Sequence, residues 1–417
     1  MTPPLPRPVR AALLLAFLGA ATPPACLPAA AAGDSAAIDE APADAWPMFR
    51  GVLAGTGRSA ARFRLPLAER WHRQLDKTAF DATPVIRGGR IFVGDLDGTF
   101  HCLALDDGRT LWTFKTDVGF PAAAAVSGDP AVVVVGDAAG MIRAFDAADG
   151  SLLWTHETGA EISGGPTLLP AEGGARVLVG SQDATLVCLS LADGAVAWKH
   201  TINDQIRCSP TVAAGKVLLA GCDGRLHVID ALTGAEEVEV PIDGPTGTTP
   251  AAAGDRALFG SEGGVFWAID VSAGKPAWKI APQGAGQAYR SSAAIAGDLA
   301  IVGTRGRSVE AMTIADGERR WRQPMRGRVD ASPVVIHLDD GHLDDGHLDD
   351  GQSGDRLAVA VADSAGKIAL LGTTDGERLW EFDAGNGFTA SAAVAGGCLV
   401  LASGDGTVWC FGGEGEP

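Results

Sequence analysis

From about residue 84 onward the chain alternates short apolar runs with Gly- and Asp-rich turns. In the first full unit, Pro84-Val85-Ile86 is closed by Gly88-Gly89, and Arg90-Ile91-Phe92-Val93 by Asp95-Leu96-Asp97-Gly98. Thr99 to Leu105 follows, and Asp107-Gly108 then turns the chain into Thr110-Leu111-Trp112-Thr113-Phe114. Short runs of branched and aromatic residues bounded by Gly and Asp predict strands, and tight turns between them predict antiparallel pairing. Four such strands in succession make one blade of a β-propeller.

The unit recurs. Trp112, Trp154, Trp198, Trp278, Trp321 and Trp380 each follow a glycine by four residues, as Gly-x-x-x-Trp. Thr233-Gly234 keeps the pattern between Trp198 and Trp278, with Glu239 read in the Trp place. Spacings are 41 from Trp71 to Trp112, then 42, 44, 41, 39, 43 and 59. A fixed period of this length marks a repeat architecture. After Trp380 the chain offers three strands, Ser391 to Val394, Cys398 to Leu401 and Thr407 to Phe411, and no fourth. Trp71, in Glu69-Arg70-Trp71-His72, has no strands of its own before it. Its strand completes the last blade and closes the ring, removing the open edges that invite aggregation. The expected fold is therefore all-β, an eight-bladed propeller over residues 46–417.

Composition adds the setting. Gly is high at 56 residues, as many tight turns require. The formal net charge is −18, which repels nucleic-acid phosphates and anionic lipid. Arg7 and Arg10, the apolar run Ala11 to Ala21 and the small residues Ala30-Ala31-Ala32 read as a secretory leader over residues 1–32. A solvated spacer is expected over 33–45. Cys26, after Pro23-Pro24-Ala25, offers a lipid anchor as the alternative to simple cleavage. No other run is long and apolar enough to span a bilayer.

With these residues on the page, residues 46–417 resemble the PQQ-like propeller repeat family. Its docking pattern, Ala-x-Asp-x-x-Thr-Gly-x-x-x-Trp, is met by Ala268-Ile269-Asp270 with Gly274 and Trp278, and by Ala144-Phe145-Asp146 with Gly150 and Trp154. Ala104, Ser190, Thr313 and Gly372 stand in the Asp place elsewhere. Trp46-Pro47-Met48-Phe49-Arg50-Gly51 looks like the entry segment of exported members, among them BamB-type outer-membrane assembly scaffolds. The resemblance implies a periplasmic or secreted, monomeric, non-catalytic scaffold with a protein partner in the envelope. The alternative it implies is a PQQ-dependent oxidoreductase. Such enzymes carry adjacent cysteines and acidic and amide ligands to calcium, whereas this chain has no Cys-Cys pair and no Cys-x-x-Cys-His. No catalytic residue, cofactor or metal ligand is therefore expected.

Residues just before each first strand should ring the channel mouth. Phe80, Asp81, Phe120, Arg207, Tyr289, Arg290, Asp330 and Phe388 form the candidate interaction surface, their aromatic and charged mixture suiting a peptide or small ligand. Three tandem His-Leu-Asp-Asp-Gly copies over 337–351 account for most of the 59-residue spacing. They read as a polar loop between strands, with His337, His342 and His347 and their aspartates as the cation-binding alternative. Cys102, Cys188 and Cys410 share one place in the third strands and read as small buried side chains. Cys208 and Cys222 lie almost level across one hairpin and could form a disulfide. A three-residue turn would set them on one face; a two-residue turn at Ala214-Gly215, pairing Ala213 with Lys216, would set them on opposite faces.

Overall fold

A computed structural model describes residues 1–2, 39–75, 78–129, 131–281, 288–339 and 356–413. Among them there is no helix, and hence none long and apolar enough to cross a membrane. Eight antiparallel sheets follow one another around a ring. Blade 1 runs outward from Val85–Arg87 through Arg90–Gly94 and Thr99–Ala104 to Thr110–Lys115. Blades 2 to 7 repeat that order. In blade 8, Ala393–Ala395, Cys398–Ala402 and Thr407–Gly413 are completed by Leu67–Gln74, with Trp71 opposite Cys410. The ring closes as the missing fourth strand requires.

Turn chemistry follows the sequence. The carboxylate of Asp95 accepts the N–H groups of Asp97 and Thr99, and Asp137 and Asp363 do the same for their own turns. Short Asx-type bonds of this kind replace the strand ladder where the chain reverses.

Blades dock through indoles. Each motif Trp donates its Nε1–H to a carbonyl of the next blade: Trp71 to Leu105, Trp112 to Ala147, Trp154 to Leu191, Trp198 to Ala231, Trp278 to Ile314, Trp321 to Thr373 and Trp380 to Leu67. The distances run from 2.8 Å at Trp321 to 3.3 Å at Trp198. The ring lies flat on the motif glycine of that next blade, so close that a Cβ on Gly317 would sit 2.7 Å from Trp278. Gly317 also has φ +77°, so two independent constraints select glycine. In blade 4 the structure corrects the sequence reading. Val238, not Glu239, occupies the Trp place: it pairs with Val228 as Trp198 pairs with Cys188, and its Cγ1 packs on Gly274. Glu239 sits one residue on, turned out to Arg225.

The cysteines divide as their positions dictate. Cys102, Cys188 and Cys410 are fully buried opposite Trp112, Trp198 and Trp71, and burial pushes the Cys102 and Cys188 thiols up to about 11. Cys208 and Cys222 stand as separate thiols, the arrangement that goes with the two-residue turn. Ala213 pairs with Lys216 across a two-residue turn, which turns the two cysteines apart. Cys208 Sγ donates to the Ala220 carbonyl instead, and Cys222 Sγ to that of Thr246.

His337 also departs from expectation. It belongs to the inner strand Val334–Leu338 of blade 7, buried and bonded through Nε2 to Glu40 at 3.0 Å. Its neighbour Asp339 pairs with Arg62. Residues 340–355, with His342 and His347, lie outside the described residues, as do residues 3–38, with Cys26 and most of the expected leader.

Two stability tests follow. Gly317→Ala must fit a Cβ against Trp278 in left-handed backbone, and should cost about 2–4 kcal/mol. Gly88→Ala, also left-handed but with open space around it, should cost only the backbone strain of about 1–2 kcal/mol. Equal losses in denaturant midpoints would refute the glycine–indole dock. Ala214, exposed with φ +47° before Gly215 at +76°, occupies a mirror-image hairpin turn that favours Asn-Gly. Ala214→Asn should therefore raise stability by about 0.5–1 kcal/mol, read the same way.

Candidate functional site

The ring leaves eight inner strands facing one axis, each with an unpaired edge. Residues 41–63 fill that axis. Ala41, expected in a solvated spacer, is instead fully buried and exchanges backbone bonds with Arg58 and Ala60. The carbonyls of Trp46, Pro47, Leu53, Ala54, Thr56 and Gly57 accept, in turn, the N–H groups of Ile86, Val126, Val212, Ala252, Ile295 and Val335. These donors occupy matching places in the inner strands of blades 1, 2, 4, 5, 6 and 7. Blade 8 contributes Gly396 N–H to the Ala43 carbonyl. The segment then continues as Arg58–Phe63, a fifth strand lying parallel on blade 7.

Arg50 bolts this plug in place. It is 1 % exposed, and its two Nη atoms donate to the Pro333 and Ala293 carbonyls at 2.7 Å each. Burial lowers its pKa to about 9, still high enough to keep it charged at neutral pH. Gly57 must lack a Cβ to leave room for the guanidinium.

Above the plug lies the mouth, a bowl of about 150 Å³. Its walls come from a four-residue pattern that repeats before each inner strand. The first residue is buried between blades, the second stands on the rim, the third is buried again, and the fourth lines the bowl. This alternation corrects half of the expected surface. Phe80, Phe120 and Phe388 are fully buried and Tyr289 nearly so. Phe120 and Tyr289 pack beneath Gly94 and Gly260, where a Cβ would come within 2.2 Å of each. They are core, and burial pushes the Tyr289 hydroxyl pKa upward.

Asp81, Arg207, Arg290 and Asp330 do reach the bowl. Asp81 accepts from the Thr389 hydroxyl at 2.6 Å, Arg290 pairs with Glu262, and Asp330 pairs with Arg305 at 3.2 Å. Arg207 is held by Gln205. Asp330 and Asp81 come from blades 7 and 1, Arg207 and Arg290 from blades 4 and 6, so the rim has an acidic and a basic side.

Below them runs a belt that sequence reasoning missed. The N–H groups of Ser209, Thr249, Ser292, Ser332 and Ser391 donate to the hydroxyls of Thr249, Ser292, Ser332, Ser391 and Thr83, each one blade on. Ala123 and Gly165 interrupt it. The recurring Ser/Thr-Pro at Thr83, Ser209, Thr249 and Ser332 was its visible signal. Phe49 of the plug forms the floor. At the other end of the axis an apolar groove of about 460 Å³ runs between the plug residues Met48, Val52 and Leu53 and Leu168, Leu169 and Pro170 of blade 3.

Solved structures of the same shape include BamB from Moraxella catarrhalis, at TM-score 0.65 and 17% identity over 83% of this chain and 100% of that one. The computationally designed Ika8 protein matches at 0.64 and 16% over 81% and 98%. Quinohemoprotein alcohol dehydrogenase from Comamonas testosteroni matches at 0.68 and 14% over 89% and 81%. At such identities the likeness is one of fold alone. No curated protein matches the chain in sequence. Four overlapping stretches, 68–141, 138–234, 210–337 and 308–415, match the family model described as outer membrane protein assembly factor BamB, and the chain belongs to that family.

Proposed function

We propose that this chain is an exported, non-catalytic scaffold of the cell envelope that holds a protein partner at the channel mouth. The observation that carries this reading is the filled axis. With Trp46 and Arg50 buried in the channel, what is left is a shallow bowl with a half-buried aromatic floor and rim charges of both signs. Such a surface suits an extended segment that seats one apolar side chain on Phe49 and aligns its own charges with Asp81 and Asp330 on one side and Arg207 and Arg290 on the other. Family membership supports an assembly role. The leader-like residues 1–32 support export.

The dehydrogenase alternative draws on the solved quinohemoprotein neighbour. The mouth does not fit a tricyclic quinone well. Its volume of about 150 Å³ is below the roughly 300 Å³ at which small-molecule pockets begin. Five belt hydroxyls already accept backbone bonds, and no cysteine lines the bowl.

Reversing both rim arginines, as Arg207→Glu with Arg290→Glu, should leave the unfolding temperature almost unchanged, because both are exposed. Recovery of envelope partners by affinity capture should fall on the order of tenfold. Undiminished capture would remove the mouth as the contact surface. Incubating the protein with the quinone and calcium should give neither saturable binding nor oxidation of alcohols or sugars. Either result would establish the enzyme reading instead.

A further inference from the structure

On the outer flank, far from the axis, three ligand-type atoms converge across a blade boundary. His200 lies on the outer strand of blade 3, Val196–Thr201. His227 lies on the third strand of blade 4, Arg225–Asp230, and Glu236 opens that blade's outer strand, Glu236–Pro241. One atom from each lies within 4.8 Å of the others. We propose that His200 Nε2, His227 Nδ1 and Glu236 Oε1 bind a divalent transition-metal ion, which ties blade 3 to blade 4.

The outer hydrogen bonds of the two imidazoles favour this. His200 Nδ1 faces the Gly234 carbonyl at 3.2 Å, so that nitrogen carries the proton and Nε2 keeps its lone pair. His200 Nε2 is buried and has no hydrogen-bond partner. His227 Nε2 faces Asp223 Oδ2 at 3.0 Å, while its Nδ1 bonds Glu236 Oε1, the contact a metal ion would replace. His227 and Asp223 side chains are only 2% and 3% exposed. A carboxylate or carbonyl behind a histidine is the usual outer support of a metal ligand.

In the metal-free protein the His227–Glu236 hydrogen bond holds one proton between two of these groups; a divalent ion would displace that proton and gain the His200 Nε2 lone pair as a further ligand. The spacings suit a small ion. Glu236 Oε1 is 2.5 Å from His227 Nδ1 and 3.9 Å from His200 Nε2. Tetrahedral zinc, with bonds of about 2.0–2.1 Å, holds its ligands about 3.3 Å apart, between those two values. Two histidines and one carboxylate leave a fourth position, and the 34% exposure of Glu236 places it toward solvent. A net charge of −18 favours cation capture. The same boundary has its weakest indole bond, Trp198 to Ala231 at 3.3 Å, and the next boundary has Val238 in place of Trp. A metal tie here would brace the ring where docking is poorest.

Zinc chloride is the probe, titrated calorimetrically into chelator-stripped protein. A His342→Ala, His347→Ala background removes the tandem histidines as competitors. One equivalent should bind and raise the unfolding temperature. His200→Ala, at a side chain 11% exposed, and Glu236→Gln, at one 34% exposed, should each weaken binding at least tenfold, with the metal-free unfolding temperature read alongside to separate lost affinity from lost packing. Cobalt(II) should give the intense visible absorption of a four-coordinate site, lost in either variant. Absence of one-to-one binding by the folded parent would overturn the site, and so would unchanged affinity in His200→Ala.

Discussion

Eight inward-facing strand edges must find hydrogen-bond partners, and the rest of the molecule is arranged around that need. Closing the ring completes the last blade and leaves only short outer edges, but the inner strands still present bare N–H and C=O groups to the axis. Each buried N–H left unpaired would cost about 1–3 kcal/mol. Six are met by carbonyls of residues 46–57. The plug is thus a structural necessity before it is anything else, and it decides how much of the channel remains for a ligand. The same sheet architecture serves a quinone enzyme and an assembly factor among its structural neighbours. A fold of this kind does not fix function, which resides in the site it carries.

The ring was legible in the chain because its signals are local and repeated. A glycine four residues before a tryptophan states both the turn and the surface the previous blade docks on, and the absent fourth strand after Trp380 states the closure. Blade 4 was misread by one residue because glutamate at 239 drew attention as a break in the pattern, while Val238 fills the same space less visibly. One residue matters in a strand, where it exchanges inside for outside.

That same period of two explains the channel mouth. Asp81, Arg207, Arg290 and Asp330 line the bowl, whereas Phe80, Phe120, Tyr289 and Phe388 are buried, although the residues are adjacent or share a four-residue pattern. Aromatics in that pattern fill the gap between blades under the glycines, leaving the neighbouring position to solvent. The plug was harder to see. Residues 41–57 have no strand or helix period, since their carbonyls bond to seven blades in succession. His200, His227 and Glu236 were invisible for a related reason: they meet only when two blades dock.

The clasp formed by Leu67–Gln74 against Thr407–Gly413 joins regions more than 300 residues apart along the chain. The plug likewise contacts inner strands drawn from nearly every blade. Neither can form while the chain is still emerging, so the first segment made is among the last to find its place. Until then, the early blades carry open edges and an empty axis, and long-range pairing of this kind is slow. The newly made chain is therefore in most need of chaperone cover while its ring is open, and the pairing of Thr407–Gly413 with Leu67–Gln74 is what ends that exposure.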